Sequence, residues 1–376
     1  MSFLPKNFPN NLSSIALAGY YGFGNIGDDL LLITALNEYN KVYSLDIRIL
    51  ANKHPYVEKM LKEFEFRSIP IYNRWDISSI SQAIRYSDAL VFGGGGIFQD
   101  ETSFKSFFYY FFNCFISKIN KRYLIIDRNS IGPINSNVSK DLFNYIINWA
   151  FSISVRDNLS YEYLINNYPK STDKFYKRED FVLSPFFDLK DKIYTNSKHQ
   201  RILFILRPVY TKIKDKIKSR KLQHPNFVKI LETVANTIKE YKNFEISIML
   251  FDEMDSEEIV IEDFLSDKLL EDFHFNFKEH PYDGFLGTYK NCSIYYPGKG
   301  NLIDTLKYIK ESLIVISNRL HGILLAKVLD IPVLGISISS KIQGICQDYN
   351  IPFIDINNQD LDKKIDSFLR EPLNKL

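Results

Sequence analysis

Arg319 and His321 stand two residues apart, and together they could hold an anion and move a proton. Arginine carries a permanent charge on a planar fork of donors that fits carboxylate and phosphate oxygens. Histidine titrates close to neutral pH, so it can give or take a proton where a reaction needs one. Lys341 supplies a further cation after Ser339 and Ser340, and Arg156, followed by Asp157, supplies another earlier in the chain. Such a set suits an anionic substrate whose conversion requires proton transfer. A plainer reading stands beside it. His321 could cap a helix or bond within the core, Arg319 could pair with a carboxylate, and Arg156 with Asp157 could be a surface pair of little energetic weight.

A second group could shape a binding loop. Gly22, Gly24 and Gly27 enclose Phe23, Asn25 and Ile26, and Asp28 and Asp29 follow at once. With Asp46 further on, the spacing is that of a dinucleotide fingerprint. Two carboxylates at the start of the next helix would repel a pyrophosphate, so NAD and FAD are not expected. Gly22, Gly24, Asn25 and Asp28 are candidates for contact with substrate hydroxyls, and N-capping by Asp28 or Asp29 is the structural alternative. Gly93, Gly94, Gly95 and Gly96 then run together, with Asp100 close behind. Glycine lets a backbone approach a ligand closely, which makes Gly94, Gly95 and Asp100 candidates as well.

These residues need strands and helices to place them. Residues 313–316 form an apolar run of strand length, 323–329 an apolar helix, and 333–336 a second buried strand. Strand, helix, strand with short links is a parallel crossover, and ligands lie beyond the carboxyl ends of such strands. Arg319 and His321 fall at that point, with Leu320 between them expected to face inward. The same alternation runs through the first half: strands are predicted at 15–19, 45–50, 89–92, 122–126 and 152–155, separated by helical stretches that include 104–119 and 140–151. It resumes with strands at 201–206 and 245–251 and helices at 227–241, 256–266 and 302–309; 273–300 reads as irregular. The tail, 359–376, has the pattern of an amphipathic helix able to pack back across a domain join. A polar stretch near 168–196 divides the series, giving expected domains of residues 1–190 and 191–376. At 376 residues, two domains is also the natural division.

Composition narrows the class. Hydrophobic residues make up 45% and charged residues 24%, as in a soluble globular chain. The 47 Lys and Arg against 45 Asp and Glu leave no charge excess that would call for nucleic acid. Cys114, Cys292 and Cys346 are far apart, with no paired spacing for a disulfide framework or a zinc site. Neither a secretory leader nor a membrane-spanning run is read in the sequence, and the expected location is cytoplasmic.

Taken in order, the loops resemble the polysaccharide pyruvyl transferase family. The likeness is carried by Gly19, Tyr20, Tyr21, Gly22, Phe23, Gly24, Asn25, Ile26, Gly27 and Asp28, then by the four glycines at 93–96 with Phe98, Gln99 and Asp100. It continues through Ile131-Gly132-Pro133, Val155-Arg156-Asp157, Arg319-Leu320-His321-Gly322, Ile331-Pro332-Val333, Gly335-Ile336-Ser337 and Lys341. Asp29 stands where the family usually has Glu, Asn129-Ser130 where Gln-Gly is common, Ser184 where Asp precedes Pro, and Ser340 where Pro precedes Lys. The resemblance implies two Rossmann-like domains with mostly parallel sheets, in a glycosyltransferase-B-type architecture with the site in the inter-domain cleft. It implies transfer of pyruvate from phosphoenolpyruvate to two hydroxyls of a sugar, with a cyclic ketal and phosphate as products and no further cofactor or metal. Carried over residue by residue, Arg156, Arg319, His321 and Lys341 would hold the donor. The residues' own chemistry then suggests His321 as acid or base, Lys341 against the leaving phosphate, and Asp28 or Asp100 at the acceptor. A nucleotide-sugar glycosyltransferase and a non-catalytic carbohydrate- or anion-binding protein are the alternatives.

Two stretches bear on membranes. Residues 212–221 are rich in Lys and Arg, and 104–119 is dense in Phe and Tyr. Acceptors in the resembling family can be lipid-linked, so weak peripheral contact with an anionic membrane is expected, driven mainly by 212–221. The aromatic helix, apolar on all sides, is expected to be core.

Overall fold

The computed structural model describes residues 7–52, 55–66, 68–101, 103–184, 193, 199–207, 209, 225–251, 285–289 and 291–373. The chain divides into two compact units, Met1–Asp188 and Leu189–Leu376.

The first unit carries seven parallel strands: β1 (Ser14–Ala18), β2 (Asp46–Ala51), β3 (Ile71–Asn73), β4 (Ala89–Gly93), β5 (Tyr123–Asn129), β6 (Ala150–Val155) and β7 (Phe175–Lys177). Their order in the sheet is β3-β2-β1-β4-β5-β6-β7. The order reverses between β1 and β4, and the loops leaving those two strands are the two glycine-rich ones. Among the described residues six α-helices connect the strands: α1 (Ile26–Leu36), α2 (Pro55–Glu63), α3 (Ile77–Arg85), α4 (Phe104–Ile119), α5 (Asn137–Trp149) and α6 (Asn158–Asn167). Ala16, Leu90, Phe92, Leu124 and Ile126 point from alternate strand positions into one core with Ile80, Phe107, Tyr110, Phe143 and Ile146 of the helices. α1 is buried along almost its whole length, every residue but Asp28, and runs on into a wider π-helical turn, Asn37–Val42.

The second unit repeats the plan with β8 (Arg201–Ile205), β9 (Glu245–Met249), β10 (Phe285–Tyr289), β11 (Cys292–Tyr295), β12 (Ile314–Ser317), β13 (Val333–Ser337) and β14 (Phe353–Asp355). The order is β10-β11-β9-β8-β12-β13-β14, and among the described strands only β10 is antiparallel. The reversal falls between β8 and β12. The described helices are α7 (Pro225–Glu240), α8 (Leu302–Lys310), α9 (Leu320–Val328), α10 (Ser340–Asp348) and α11 (Leu361–Leu373).

Several elements differ from their sequence expectation. Residues 273–300 are not irregular throughout: β10 and β11 form a hairpin there, each too short to show alternation. α9 begins at Leu320 rather than at 323, because Arg319 already takes the extended N-cap conformation, so His321 lies in the first helical turn. Leu320, expected to face inward, is half-buried. α11 packs on its own unit, with Leu361, Ile365 and Leu369 in the core beside α7 residues. α4 is buried on one side only: Phe104, Phe108, Phe115 and Ile119 are exposed. The helix expected at 256–266 and the basic run at 212–221 lie outside the described residues.

Candidate active site

The carboxyl edge of the second sheet holds Arg319, His321 and Lys341. β12 ends at Ser317, whose hydroxyl donates to the Ile205 carbonyl of β8 at 3.0 Å and accepts from the Arg319 amide at 3.0 Å. Asn318 then clamps Arg207, accepting from its amide at 2.7 Å and donating to its carbonyl at 2.8 Å. These bonds tie the ends of β8 and β12 together at the reversal of strand order, where open α/β sheets bind ligands. Arg319 follows as the N-cap residue of α9, with 8% of its surface exposed and its guanidinium near the Phe251 ring at 5.9 Å. His321 is half-buried one turn into the helix. A Cβ on Gly322 would lie 2.7 Å from the Ser317 hydroxyl, so glycine lets the first turn of α9 lie directly on the strand ends. Lys341 sits in the first turn of α10, at the end of neighbouring β13. Arg319 and His321 on one loop and Lys341 on the next thus share one edge, beside the positive ends of two helices.

The edge of the first sheet is built differently. Gly22 and Gly24 have φ of +84° and +85°, and a Cβ on Gly22 would come within 2.3 Å of the Asn52 carbonyl. Gly94 and Gly95 also take positive φ, +77° and +86°. Tyr21 joins the two loops by donating to the Gly93 carbonyl at 2.6 Å; burial and then the nearby Asp28 charge push its pKa well up, so it acts as a fixed donor. Asn25, not Asp28 or Asp29, caps α1: its side chain accepts from the Gly27 amide at 2.9 Å, and its carbonyl accepts from the amides of Asp28 and Asp29. The helix amides that a pyrophosphate would seek are therefore already bonded. Asp28 is half-buried, whereas Asp29 is buried beside Tyr56, whose hydroxyl accepts from the Gly24 amide at 2.7 Å.

Two candidates from sequence are committed elsewhere. Asp100 accepts from the backbone amides of Asn135 and Ser136 at 2.7 and 2.8 Å. Burial would raise its pKa, but those bonds outweigh it and hold the carboxyl below the usual range, which suits a loop anchor better than a base. Arg156 is buried, not at the surface, and pairs with Asp180 at 2.5 Å rather than with Asp157, while its Nε donates to Ser130 at 3.0 Å. Asp157 instead caps α6 through the Ser160 amide and accepts from Ser130. Arg156 thus knits β6 to the 180–184 segment and does not present an open fork.

The family model for polysaccharide pyruvyl transferase matches residues 25–340. The chain belongs to the polysaccharide pyruvyl transferase family. It is an enzyme of that kind, and the match takes in the end of the first glycine-rich loop from Asn25, the whole of the second, Arg319 and His321, while Gly22 and Gly24 precede it and Lys341 follows its last residue. No curated protein matches the chain. Among solved structures, the chain is similar to the Staphylococcus aureus MnaA–UDP co-structure, at 12% identity and a TM-score of 0.62, covering 96% of this chain and 88% of that one. It is also similar to the Neisseria meningitidis UDP-GlcNAc 2-epimerase bound to UDP-GlcNAc, at 13% identity and a TM-score of 0.59, covering 96% and 92%. A third is a putative UDP-N-acetylglucosamine 2-epimerase from Listeria monocytogenes, at 10% identity and a TM-score of 0.61, covering 96% and 88%. At these identities the likeness shows the fold: two Rossmann-like domains of the glycosyltransferase-B-like kind.

The transferase has two features that sequence reasoning missed. One is a buried charge network. Arg178 donates to both Asp127 oxygens at 2.9 Å and to Glu38 at 2.9 Å, and Arg128 donates to Glu38 at 2.7 Å. Burial would raise the Asp127 carboxyl, but Arg178 and then Arg128 hold it below the ordinary range. The other is an aromatic group around Arg74, which donates to the Gly19 carbonyl at 2.8 Å and lies 4.5–5.7 Å from the ring centres of Tyr20, Phe23, Trp75, Tyr109 and Tyr110. Tyr20 and Trp75 remain 38% and 62% exposed beside the glycine loop. Trp75 donates to Asn52, which also donates to the Gly22 carbonyl. The aromatic residues flanking the first glycines, Tyr20, Tyr21 and Phe23, and Trp75 beside Arg74 were the available signal.

Proposed function

We propose that the enzyme transfers pyruvate from phosphoenolpyruvate to two hydroxyls of a sugar, forming a cyclic ketal and releasing phosphate. The observation that supports this most is the placing of Arg319 and His321, two residues apart, at the start of α9, at the reversal of strand order. Arg319 and Lys341 would meet the donor's carboxylate and phosphate, as fork and point charge respectively. His321 would give a proton to the methylene carbon, leaving the adjacent carbon open to attack. Two carbon–oxygen bonds to the acceptor form and the carbon–oxygen bond to phosphate breaks. Of the two acceptor protons, one replaces that given to the methylene carbon, which becomes a methyl group, and the other leaves with phosphate. Lys341 would steady the charge on the departing group.

On this reading the acceptor belongs to the first unit's edge. Tyr20 and Trp75 offer flat apolar faces for the C–H face of a sugar ring, and half-buried Asp28 offers an acceptor for its hydroxyls. Arg156 leaves the donor set, because its charge is already paired. Phosphoenolpyruvate is the co-substrate and no other cofactor is called for.

The test is incubation with phosphoenolpyruvate and a panel of candidate saccharides, read by mass spectrometry for the pyruvate ketal and by phosphate release. Thermal stabilisation by phosphoenolpyruvate, and none by nucleotide sugars, is the expected companion result. Stabilisation by UDP-sugars alone would turn the reading towards nucleotide-sugar chemistry, as in the similar UDP-GlcNAc 2-epimerases.

A further inference from the structure

α4 presents its aromatic residues in two stripes. Phe107, Tyr110, Cys114 and Ser117 face the sheet and are buried. On the other side Phe108, Phe115 and Ile119 are 46%, 41% and 61% exposed, and α5 adds Tyr145 at 54%. Phe108, Phe111, Phe112, Phe115, Tyr145 and Trp149 enclose a shallow hollow of about 380 Å³ lined by aromatic rings alone. Trp149 also borders a second hollow, lined by Lys118, Lys121, Arg122, Tyr123 and Phe151 among others. Apolar surface of this extent on one face marks a place where something docks.

We propose that this face rests on the surface of an anionic lipid bilayer, with α4 lying in the plane of the interface. Charge decides the occupant. From Phe104 to Tyr123 the chain carries Lys105, Lys118, Lys121 and Arg122 and no acidic residue. A second copy laid face to face would oppose these cations with the same cations. An anionic bilayer offers an apolar boundary for the rings and negative charge for the collar at once. Tyr and Trp, with a polar edge on an apolar body, settle at that boundary. α4 is about 24 Å long at the usual helical rise, enough for a flat seat. None of the described helices is long and apolar enough to cross a membrane, so the contact is a surface one. The face lies on the outer side of α4 and α5 and reaches the starting ends of β5 and β6, away from the glycine loops at the other ends of the strands. It therefore does not rest on the donor or acceptor assignment.

The experiment is co-sedimentation of the full chain with phosphatidylcholine vesicles, with and without phosphatidylglycerol, at low and high salt. The chain should bind the phosphatidylglycerol vesicles. Phe108→Ser with Phe115→Ser should reduce binding at least about tenfold at either salt, and Lys118→Gln with Lys121→Gln should reduce it about as much at low salt only. The changed residues are exposed, and an unaltered melting temperature checks the fold. In a Trp75→Phe background Trp149 is the only indole, and its emission should move to shorter wavelength on vesicles. No binding to anionic vesicles at low salt overturns the proposal. So does binding that survives the aromatic changes, which would locate it elsewhere. A dimer in sedimentation equilibrium that Phe108→Ser with Phe115→Ser dissociates also overturns it, by showing that a second copy covers the face.

Discussion

The two sheets open at a reversal of strand order, yet the two edges are made of opposite materials. The first is shaped by backbone: four glycines at positive φ, a tyrosine joining the loops, a half-buried carboxylate and exposed rings. The second is shaped by side chains seated at helix starts, the cations Arg319 and Lys341 with His321 between them, on adjacent strands' loops. Topology says where an α/β unit binds but not what. A neutral polyol suits the first edge and a small dianion the second. A residue change should then separate donor from acceptor according to the edge it falls on.

The largest expected effect is at His321. His321→Gln keeps the size and a hydrogen-bonding group but cannot carry the proton, so turnover should fall by roughly 10²–10⁴ with the melting temperature unchanged. Single-turnover kinetics with excess enzyme would show it. Full turnover in the folded variant would remove His321 from the chemistry and blur the contrast between the edges.

Arg156 and Arg319 look alike in sequence, each at a strand end, and should behave oppositely. Arg156→Ala leaves Asp180 buried without its cation, so stability should fall by about 3–5 kcal/mol in urea unfolding. Arg319→Ala should instead weaken phosphoenolpyruvate binding by about 1.5–3 kcal/mol in calorimetry, the loss of a charged hydrogen bond. A folded, stable Arg156→Ala variant with weakened donor binding would restore Arg156 to the site.

The buried network predicts an acid response. The folded Asp127 carboxyl titrates below its ordinary value of 3.8. The stability it contributes is therefore full above that value and is lost as the pH falls through the lowered one. Melting temperatures between about pH 5 and pH 2 should fall less steeply for Asp127→Asn than for the parent chain, from a lower starting point. Equal slopes would show that other carboxylates govern acid unfolding.

What the sequence made legible follows from physical scale. Strand and helix alternation is a local, repeated signal, so the parallel sheets and the boundaries of α4 were readable from the pattern of apolar residues. The glycines and the Arg-Leu-His run were readable because each lies at a strand end. Partnerships over long separations were not. Arg156 meets Asp180 and not the adjacent Asp157, and Glu38 gathers Arg128 and Arg178 from far along the chain. Nothing local encodes such pairing. The two faces of α4 were hidden for another reason: aromatic residues occupy both, so composition carries no inside or outside.

The smallest effect should be at Trp75, and it tests the acceptor side of the contrast. The ring is 62% exposed, and its indole N–H is fixed on Asn52, which in turn holds the Gly22 carbonyl. Truncation removes a stacking face without opening the core. Aromatic contacts of this kind contribute about 0.5–1.5 kcal/mol, so Trp75→Ala should raise the acceptor KM roughly 2- to 10-fold. The donor KM and the melting temperature should stay put, because Trp75 lies on the first sheet's edge and Arg319 and Lys341, proposed to hold the donor, lie on the second's. Trp75→Phe keeps a ring and should recover most of the loss. A rise in the donor KM, or a fall in melting temperature that accounts for the whole effect, would mean that the ring props the glycine loop and does not meet the sugar.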